Sequence, residues 1–421
     1  MREAKSKPFK ISKHTVWEAY LRVKANRGAA GVDKQSIKDL EKNLKDNLYK
    51  IWNRMSSGTY FPPPVLRVEI PKGDGKTRKL GIPTVGDRIA QMVVKMLLEP
   101  LIEPCFHKDS YGYRPGKSAH GALEITRKRC WQYAWVVDMD IKGFFDNMSH
   151  DKVMSAVKCH TDCKWILLYI ERWLKAPVQL TDGELENREI GTPQGGVISP
   201  LIANLFLHYA FDAWMKRNYP DIAFARYADD IIIHCQTKEQ ADKLLQCIKA
   251  RMEECGLELH PEKTKIVHCQ AGKRRGAHPI KKFDFLGYTF RPRRAKTRKG
   301  NYFIGFLPAI SDKAVKRLRQ QTKGWKIHRR SHLSLQELAK LVNPAVRGWL
   351  QYYGKFYPSE LHKVFRILNS SIIRWARRKY KRLKRSLAKA TEWMKKVTMK
   401  AKHLFVQWEA GYVNGWTTRA V

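Results

Sequence analysis

The chain has 421 residues, of which 81 are Lys or Arg and only 39 are Asp or Glu, so its formal net charge is +42. With 43% hydrophobic residues, a chain of this length can form two or three domains with large cores, which excludes disorder of the whole chain. The charge excludes an acidic or charge-balanced metabolic enzyme, because such self-repulsion requires a polyanion to neutralise it. Nucleic acid is therefore the expected partner.

No run of about 18 apolar residues occurs, and residues 1–7 lack the apolar segment of a signal peptide. We therefore expect a soluble, cytoplasmic protein that does not bind a membrane. Eight scattered cysteines favour a reducing compartment over a disulfide framework.

The first 65 residues predict a basic helical region, since apolar side chains recur every three or four residues across 16–24 and 37–55. The sequence FPPP at 61–64 ends that pattern. From residue 65 to about residue 288, short β-branched runs alternate with helical stretches, which predicts an α+β core.

Residues 68–83 predict a β-hairpin that turns at Asp74 and Gly75, with Lys72 and Arg78 at similar distances from the turn. Exposed cations on a hairpin are usually only solvated. A functional role for Lys72 and Arg78 is therefore expected only if motifs elsewhere in the chain indicate one.

Two stretches carry paired acids. The sequence AWVVDMDI at 134–141 predicts a buried strand with Asp138 and Asp140 on one face. The sequence FARYADDIII at 224–233 predicts a hairpin with Asp229 and Asp230 at its bend. Buried carboxylates are costly unless they are paired or bind a metal, and a shared divalent cation would relieve the repulsion. Oxygen ligands with few histidines nearby favour Mg²⁺ over Zn²⁺.

These two acidic stretches, about 90 residues apart, resemble the palm of the reverse transcriptases. The resemblance implies an α+β right-hand polymerase with fingers, a palm built on an antiparallel sheet, and a helical thumb. In that family, two Mg²⁺ ions about 3.5–4 Å apart activate a primer 3′-hydroxyl and steady the triphosphate, and Mn²⁺ can substitute. The metal ligands implied here are Asp140, Ile141, Asp229 and Asp230.

Further motifs fit the nucleotide site of that family. The sequence GTPQGGVISPL at 191–201 holds too many Gly and Pro residues for a regular element and leads into a helical stretch at 202–214. It resembles the loop that contacts the nascent base pair, with Gln194 as its polar reader. Lys72 and Arg78 would grip the triphosphate. Phe145 would exclude ribose and so select dNTPs, although it could instead be a core aromatic residue.

Two segments further along resemble parts that handle pyrophosphate and primer. The sequence GLELHPEKTK at 256–265 matches a segment that offers a lysine as general acid, so Lys263 joins Asp140, Asp229 and Asp230 as a catalytic residue, with Lys265 as the alternate. The sequence FDFLGY at 283–288 matches the hairpin on which a primer strand rests.

Motifs outside the polymerase core resemble group II intron proteins over roughly residues 14–415. They are KANRGAAGVD at 24–33, SYGYRPG at 110–116 and NPAVRGWLQYYG at 343–354, which resembles the maturase domain. The last motif predicts a helix with Asn343 as N-cap, Pro344 at the first position and an apolar face of Val346, Trp349, Leu350 and Tyr353. After Trp393 the chain has no cysteine and one histidine, so we expect the branch that lacks the Cys/His-rich endonuclease domain.

The C-terminal third is strongly basic. Residues 291–300 hold six cations and predict a solvated loop that orders on a phosphate backbone, and residues 311–421 carry 27 Lys and Arg against 5 acids. Residues 371–386 predict a helix that packs an apolar stripe and presents RNA-binding cations, although a solvated charged face is the alternative. These cations are Arg374, Arg377, Arg378, Lys381 and Arg382.

We therefore predict an N-terminal extension (1–65), reverse transcriptase fingers and palm (66–290), a basic connector (291–310) and a thumb and maturase domain (311–421). The predicted reaction adds dNTPs to a DNA primer on an RNA template, and the resemblance implies intron RNA binding, splicing assistance and retrohoming in a bacterial, nucleic-acid-associated protein. Three alternatives stay open. They are a splicing cofactor with an incidental polymerase, an RNA-templated RNA polymerase, which Phe145 disfavours, and a free-standing relative used in DNA repair or phage defence. The sequence leaves the oligomeric state open.

Overall fold

The computed structural model describes residues 7–71, 77–272, 274, 278–297 and 299–413. The chain divides into two compact units. The first comprises residues up to 126 together with 135–266, and the second comprises 127–134 together with the chain from 267 onward. No helix in these ranges is both long enough and apolar enough to span a membrane.

The N-terminal helices follow from local signals. Ser12 and Ser36 cap the first two helices by accepting backbone N–H bonds, and Gly58 ends the third in the left-handed conformation. The predicted helices across 16–24 and 37–55, and their end before FPPP, are confirmed. The helices through residue 254 are α1 Lys13–Ala25, α2 Ile37–Glu41, α3 Leu44–Ser57, α4 Val85–Ile102, α5 Ala119–Gln132, α6 His150–Lys158, α7 Lys164–Lys175, α8 Ser199–Leu207, α9 Ala213–Asn218 and α10 Lys238–Glu254.

One sheet of the first unit has the strand order β2-β1-β4-β5. Pro71 on β1 pairs with Thr77 on β2 in an antiparallel ladder, so the predicted hairpin is confirmed. Lys72, Asp74 and Gly75 lie outside the described residues. The strands are β1 Val65–Pro71, β2 Thr77–Ile82, β4 Val178–Gln179 and β5 Leu185–Glu186.

The other sheet, with the order β6-β7-β3-β8, carries the acidic residues. Its central strands contribute Val136, Val137 and Ile231 to the core, all fully buried, and α10 packs against both. The predicted buried strand and the second hairpin are confirmed. The strands are β3 Trp135–Asp140, β6 Phe224–Tyr227, β7 Asp230–Cys235 and β8 Lys265–His268.

The second unit combines an antiparallel sheet of order β11-β10-β9 with helices. Leu286 and Gly287, both at positive φ, form the tight turn between β9 and β10, which confirms a hairpin at 283–288. Helices α11 and α14 pack on α13. The elements are β9 Phe283–Phe285, β10 Tyr288–Lys296, β11 Tyr302–Ile310, α11 Asp312–Gly324, α12 Leu335–Tyr353, α13 His362–Lys379, α14 Leu387–Lys400 and α15 Val406–Glu409.

The prediction of a solvated loop at 291–300 is wrong for residues 291–296, which belong to β10. This strand pairs residue by residue with β11. Phe290 stacks on Phe283 with ring centroids 4.7 Å apart, and buried Arg293 donates to Glu360 at 3.0 Å. Strand pairing and a counter-ion for the buried guanidinium therefore outweigh the local charge density.

The predicted helix start at Asn343 and Pro344 is also wrong. Helix α12 begins after Ser334, whose hydroxyl accepts the Glu337 N–H while the Glu337 carboxylate accepts the Ser334 N–H. Pro344 therefore lies inside the helix. Asn343 instead bonds the Leu404 carbonyl at 3.0 Å, and this contact ties α12 to the C-terminal segment.

The predicted apolar face of α12 is confirmed for Val346, Trp349 and Tyr353, which are buried, whereas Leu350 is half-buried. A continuous helix over 371–386 is wrong, because α13 ends at Lys379 and a 3₁₀ turn follows at Lys381–Leu383. The Arg377 side chain donates to the Lys384 carbonyl at 3.0 Å and so closes that turn.

Candidate active site

The two acidic stretches meet on adjacent antiparallel strands. Asp140 on β3 pairs with Asp230 on β7, and Asp138 pairs with Ile232. Directly opposed residues, and residues two apart on one strand, point to the same face of a sheet. Asp138, Asp140 and Asp230 therefore share one face, and Asp229 precedes β7 in the turn after β6.

Burial and mutual repulsion both oppose ionisation of these carboxyl groups. Crowding by the surrounding protein raises the pKa of Asp230 to about 7, although the side chain is still exposed at the surface, and the charges of Asp229 and Asp140 add to that rise. Burial also raises the pKa of Asp229, and Asp140 contributes in the same direction. A cation beside these groups would favour their ionised forms.

Two lysines, one just before β8 and one at its first position, lie against the acids. The Lys263 ammonium is 2.7 Å from Oδ2 of Asp140, and the Lys265 ammonium is 3.5 Å from Oδ2 of Asp138. The Asp140 carbonyl also accepts the His260 N–H at 2.8 Å. Residues more than 120 positions apart in the sequence thus converge on one end of β3.

The chemistry of this face suits a hard divalent cation, because its donors are carboxylate oxygens. No three His, Cys, Asp or Glu side chains within the described ranges converge into a metal cluster, and the Asp140 carboxylate lies against Lys263 instead. Ile141 has no side-chain oxygen, so only its main-chain carbonyl could act as a ligand. The carboxylate oxygens and their negative charge fit a divalent cation. The Asp140–Lys263 contact would have to break before Asp140 could bind that cation.

Two of the residues assigned to the nucleotide touch each other. Arg78 on β2 donates its Nε–H to Oε1 of Gln194 at 2.8 Å, and the Gly81 N–H donates to the Gln194 carbonyl at 2.9 Å. Gly195 has a φ of +135°, and a Cβ there would collide with the Gly81 carbonyl oxygen. The glycine-rich loop is therefore pressed against β2.

Phe145 lies in a 3₁₀ turn, Phe144–Asp146, close to the same loop. Its carbonyl accepts the Thr192 N–H at 2.8 Å, but its ring is only 9% exposed and packs on Phe144, as the core interpretation expects. A cavity of about 340 Å³ beside the loop is lined in part by Asp146, Arg188 and Thr192.

A buried network that the sequence analysis missed holds the loop from the other side. Gln91 on α4 accepts the Val197 N–H at 2.7 Å through Oε1 and donates to Asp87 at 2.9 Å. Asp87 also accepts the Tyr60 hydroxyl at 2.8 Å and the Trp173 indole N–H at 2.7 Å. The available signal was a pair of polar residues one turn apart, Asp87 and Gln91, in the mostly apolar first half of α4.

The five cations assigned to RNA differ in their surroundings. Arg374, Arg378, Lys381 and Arg382 are exposed, whereas Arg377 is half-buried in the turn that it closes. On α13, the neighbouring apolar residues Ile372 and Trp375 are buried, whereas Tyr380, just after it, is half-buried. This face can reach a phosphate backbone, and its RNA binding stays a prediction.

Residues 70–290 match the family model of reverse transcriptase (RNA-dependent DNA polymerase), and residues 315–393 match the group II intron maturase-specific domain. Protein YkfC of Escherichia coli is 31% identical over 304 residues, which cover 63% of this chain and 77% of YkfC. The group II intron-encoded protein LtrA of Lactococcus lactis is 28% identical over 433 residues, which cover 80% of this chain and 68% of LtrA. An uncharacterized 91 kDa protein in the cob intron of Schizosaccharomyces pombe is 26% identical and covers 83% of this chain, but only 50% of that protein aligns. Since the first family match takes in more than half of the chain and the second follows it, the chain belongs to the reverse transcriptases, RNA-directed DNA polymerases, and carries the maturase-specific domain of group II intron proteins.

Proposed function

We propose that Asp140, Asp229 and Asp230 hold the divalent cations of DNA synthesis and that the cation used is Mg²⁺. The observation that carries this proposal is the direct pairing of Asp140 with Asp230, with Asp229 adjacent in the turn. When bound, Mg²⁺ would activate the primer 3′-hydroxyl and offset the charge of the triphosphate.

Lys263 is the general acid in this proposal. Its ammonium lies 2.7 Å from Oδ2 of Asp140 and offsets the charge of that carboxylate. From this position the ammonium would donate a proton to the departing pyrophosphate as a general acid.

Arg78 and Gln194 bind the incoming dNTP in this proposal, together with Lys72. Their hydrogen bond places a cation and an amide on one edge of the glycine-rich loop. Because Arg78 carries a planar fork of donors, it can exchange Gln194 for phosphate oxygens. Phe145 would contact the sugar and disfavour a 2′-hydroxyl.

The proposed parts of the polymerase are the N-terminal extension at 1–65, fingers and palm at 66–290, a connector at 291–310 and a thumb and maturase region at 311–421. Its nucleic-acid substrates would be an RNA template and a DNA primer. Intron RNA would bind the exposed cations Arg374, Arg378, Lys381 and Arg382, with half-buried Arg377 shaping their surface. Splicing assistance would then require RNA binding and not the three acids.

Primer extension on an RNA template tests the proposal. Asp229→Asn should lower the rate at least roughly 100-fold, because it removes a ligand that stabilises charge in the transition state. EDTA should abolish extension by the unchanged protein, and Mg²⁺ should restore it. Replacing dNTPs by NTPs should abolish product if Phe145 excludes ribose.

Asp242→Asn is the matched control, since Asp242 is an exposed carboxylate on α10 that only faces Lys238. It should extend primers at the rate of the unchanged protein. Normal extension by Asp229→Asn would refute the assignment of the metal ligands. Retained RNA affinity in Asp229→Asn would show that the variant is folded.

A further inference from the structure

The turn that carries Asp229 and Asp230 requires support from its surroundings. Ala228 in this turn has a φ of +56°, a conformation that costs free energy for any residue with a Cβ. Two adjacent carboxyl groups follow it and repel each other when ionised. The Arg226 side chain, which is fully buried, donates from Nη1 to the Ala228 carbonyl at 3.2 Å.

Asp212 is the counter-ion of Arg226. Nε of the guanidinium donates to Oδ1 of Asp212 at 2.8 Å and Nη2 donates to Oδ2 at 2.5 Å, with both side chains almost fully buried. This bidentate contact fixes the orientation of the guanidinium plane and also neutralises its charge. Because the pair is excluded from water, loss of either partner would leave an uncompensated charge.

A π-helical turn, His208–Asp212, between α8 and α9 presents Asp212. The wider turn shifts the helix face, and Arg251 on α10 donates to its Tyr209 and Ala210 carbonyls at 3.3 and 3.1 Å. Such turns occur frequently at functional sites. Here the π-helical turn brings the Asp212 carboxylate to the Arg226 guanidinium, which supports the turn that carries Asp229 and Asp230.

Asn204 and Gly112 complete the contacts. Asn204 on α8 accepts from Nη1 of Arg226 at 3.0 Å and donates to the Gly112 carbonyl at 2.6 Å. A Cβ at Gly112 would lie 2.5 Å from the Ala228 nitrogen, so only glycine fits there. The segment at 110–112 therefore presses directly on the turn that Arg226 holds.

We propose that Arg226, Asp212 and Asn204 are positioning residues of the polymerase reaction, which set the acidic turn so that Asp229 and Asp230 can share a divalent cation with Asp140. This inference rests on the proposed function of the three acids. The chain of contacts ends on the carbonyl of the residue before Asp229, so a change in the network moves the ligands themselves. Groups that orient metal ligands typically contribute roughly 10–100-fold to metal affinity.

Arg226→Lys tests the proposal, because it keeps the positive charge but loses the fork that joins Asp212 to Ala228. Binding of Mn²⁺ to the full chain with an RNA–DNA primer–template and no dNTP is measured by electron paramagnetic resonance. We expect Mn²⁺ binding to weaken, and the half-saturating Mg²⁺ concentration in primer extension to rise, each by roughly 10–100-fold. Affinity for the primer–template should not change.

Glu360→Gln is the matched control, since it removes the carboxylate that buried Arg293 contacts at 3.0 Å, and that Lys363 and Arg291 also face, within the second unit. It should lower the melting temperature without changing Mn²⁺ binding. If Arg226→Lys does not fold, Asn204→Ala tests the proposal instead. It leaves the Arg226–Asp212 ion pair intact and should also weaken Mn²⁺ binding.

Mn²⁺ binding within twofold of the unchanged protein in a folded Arg226→Lys, or in Asn204→Ala, would overturn the inference. Asp229→Asn is measured in parallel. If Asp229→Asn loses Mn²⁺ binding while Arg226→Lys keeps it, the positioning role fails and the proposed function stands. If Asp229→Asn keeps Mn²⁺ binding, the proposed function itself fails.

Discussion

Asp87 lies almost fully buried on α4 and accepts hydrogen bonds from Tyr60, Trp173 and Gln91. All three donors are neutral, so no direct hydrogen-bond partner carries a compensating charge. Burial raises the pKa of Asp87 from 3.8 to about 6, even though the hydrogen bonds act in the opposite direction. The folded state therefore binds a proton more tightly than the unfolded state, and this contribution to stability falls as pH rises from about 4 through 6.

Asp87→Asn should remove that pH dependence, because the amide does not titrate. The free energy of unfolding of the unchanged protein, measured relative to that of Asp87→Asn, should fall by about 2 kcal/mol between pH 4 and pH 7. Urea unfolding at pH 4, 5, 6 and 7 measures it. The exposed Asp242→Asn should show no such shift, and a difference that stays constant with pH in Asp87→Asn would contradict the expectation.

At the scale of the element, α12 shows how a long helix can contain a proline. Pro344 lies ten residues after the Ser334 cap and is exposed. Because it lacks an N–H, it cannot bond the carbonyl four residues earlier, and its ring crowds that turn. The capping box at Ser334, together with the buried Val346 and Trp349, keeps the helix continuous.

Pro344→Ala should therefore stabilise the protein, by about 1–3 kcal/mol, because it restores a backbone hydrogen bond at a solvent-facing position. Thermal unfolding should show a rise in melting temperature. Gly348→Ala on the same helix is the control, since a Cβ there meets nothing within 4 Å. It should stabilise by less, about 0.5–1 kcal/mol. A smaller gain from Pro344→Ala than from Gly348→Ala would show that α12 is built around the proline.

Over the whole molecule, the net charge of +42 makes electrostatics dominate the binding of nucleic acid. Lys381 and Arg382 are exposed in the turn after α13. Replacing both by Ala should weaken RNA binding at low salt. The slope of log affinity against log salt should become shallower by roughly 1.5, as two phosphate contacts are lost.

Filter binding across a salt series measures that slope. A double variant of Lys175 and Lys238 to Ala is the control, because these exposed cations face Glu171 and Asp242 on their own helices. Its slope should match that of the unchanged protein. Equal slopes in the two double variants would show that the turn after α13 does not contact RNA.

The sequence by itself determined the elements whose signals are local. Alternation around Asp140, the acid pair between two apolar runs, and the three- to four-residue periodicity of the first 65 residues act within a few residues, so the strands and N-terminal helices could be predicted. The order of motifs along the chain likewise sufficed to indicate the family, which the matches at 70–290 and 315–393 show.

Only the tertiary structure decided which distant groups meet. Lys263 reaches Asp140, Arg226 pairs with Asp212, and Gln91 holds the glycine-rich loop, and no local preference encodes these contacts. The cation-rich stretch at 291–296 likewise forms a strand because of distant contacts. Its stabilisation comes from pairing with β11 and from the contact of Arg293 with Glu360. Helix caps and hydrophobic periodicity depend on residues that are close in the sequence, whereas burial and ion pairing depend on residues that come together only when the chain folds.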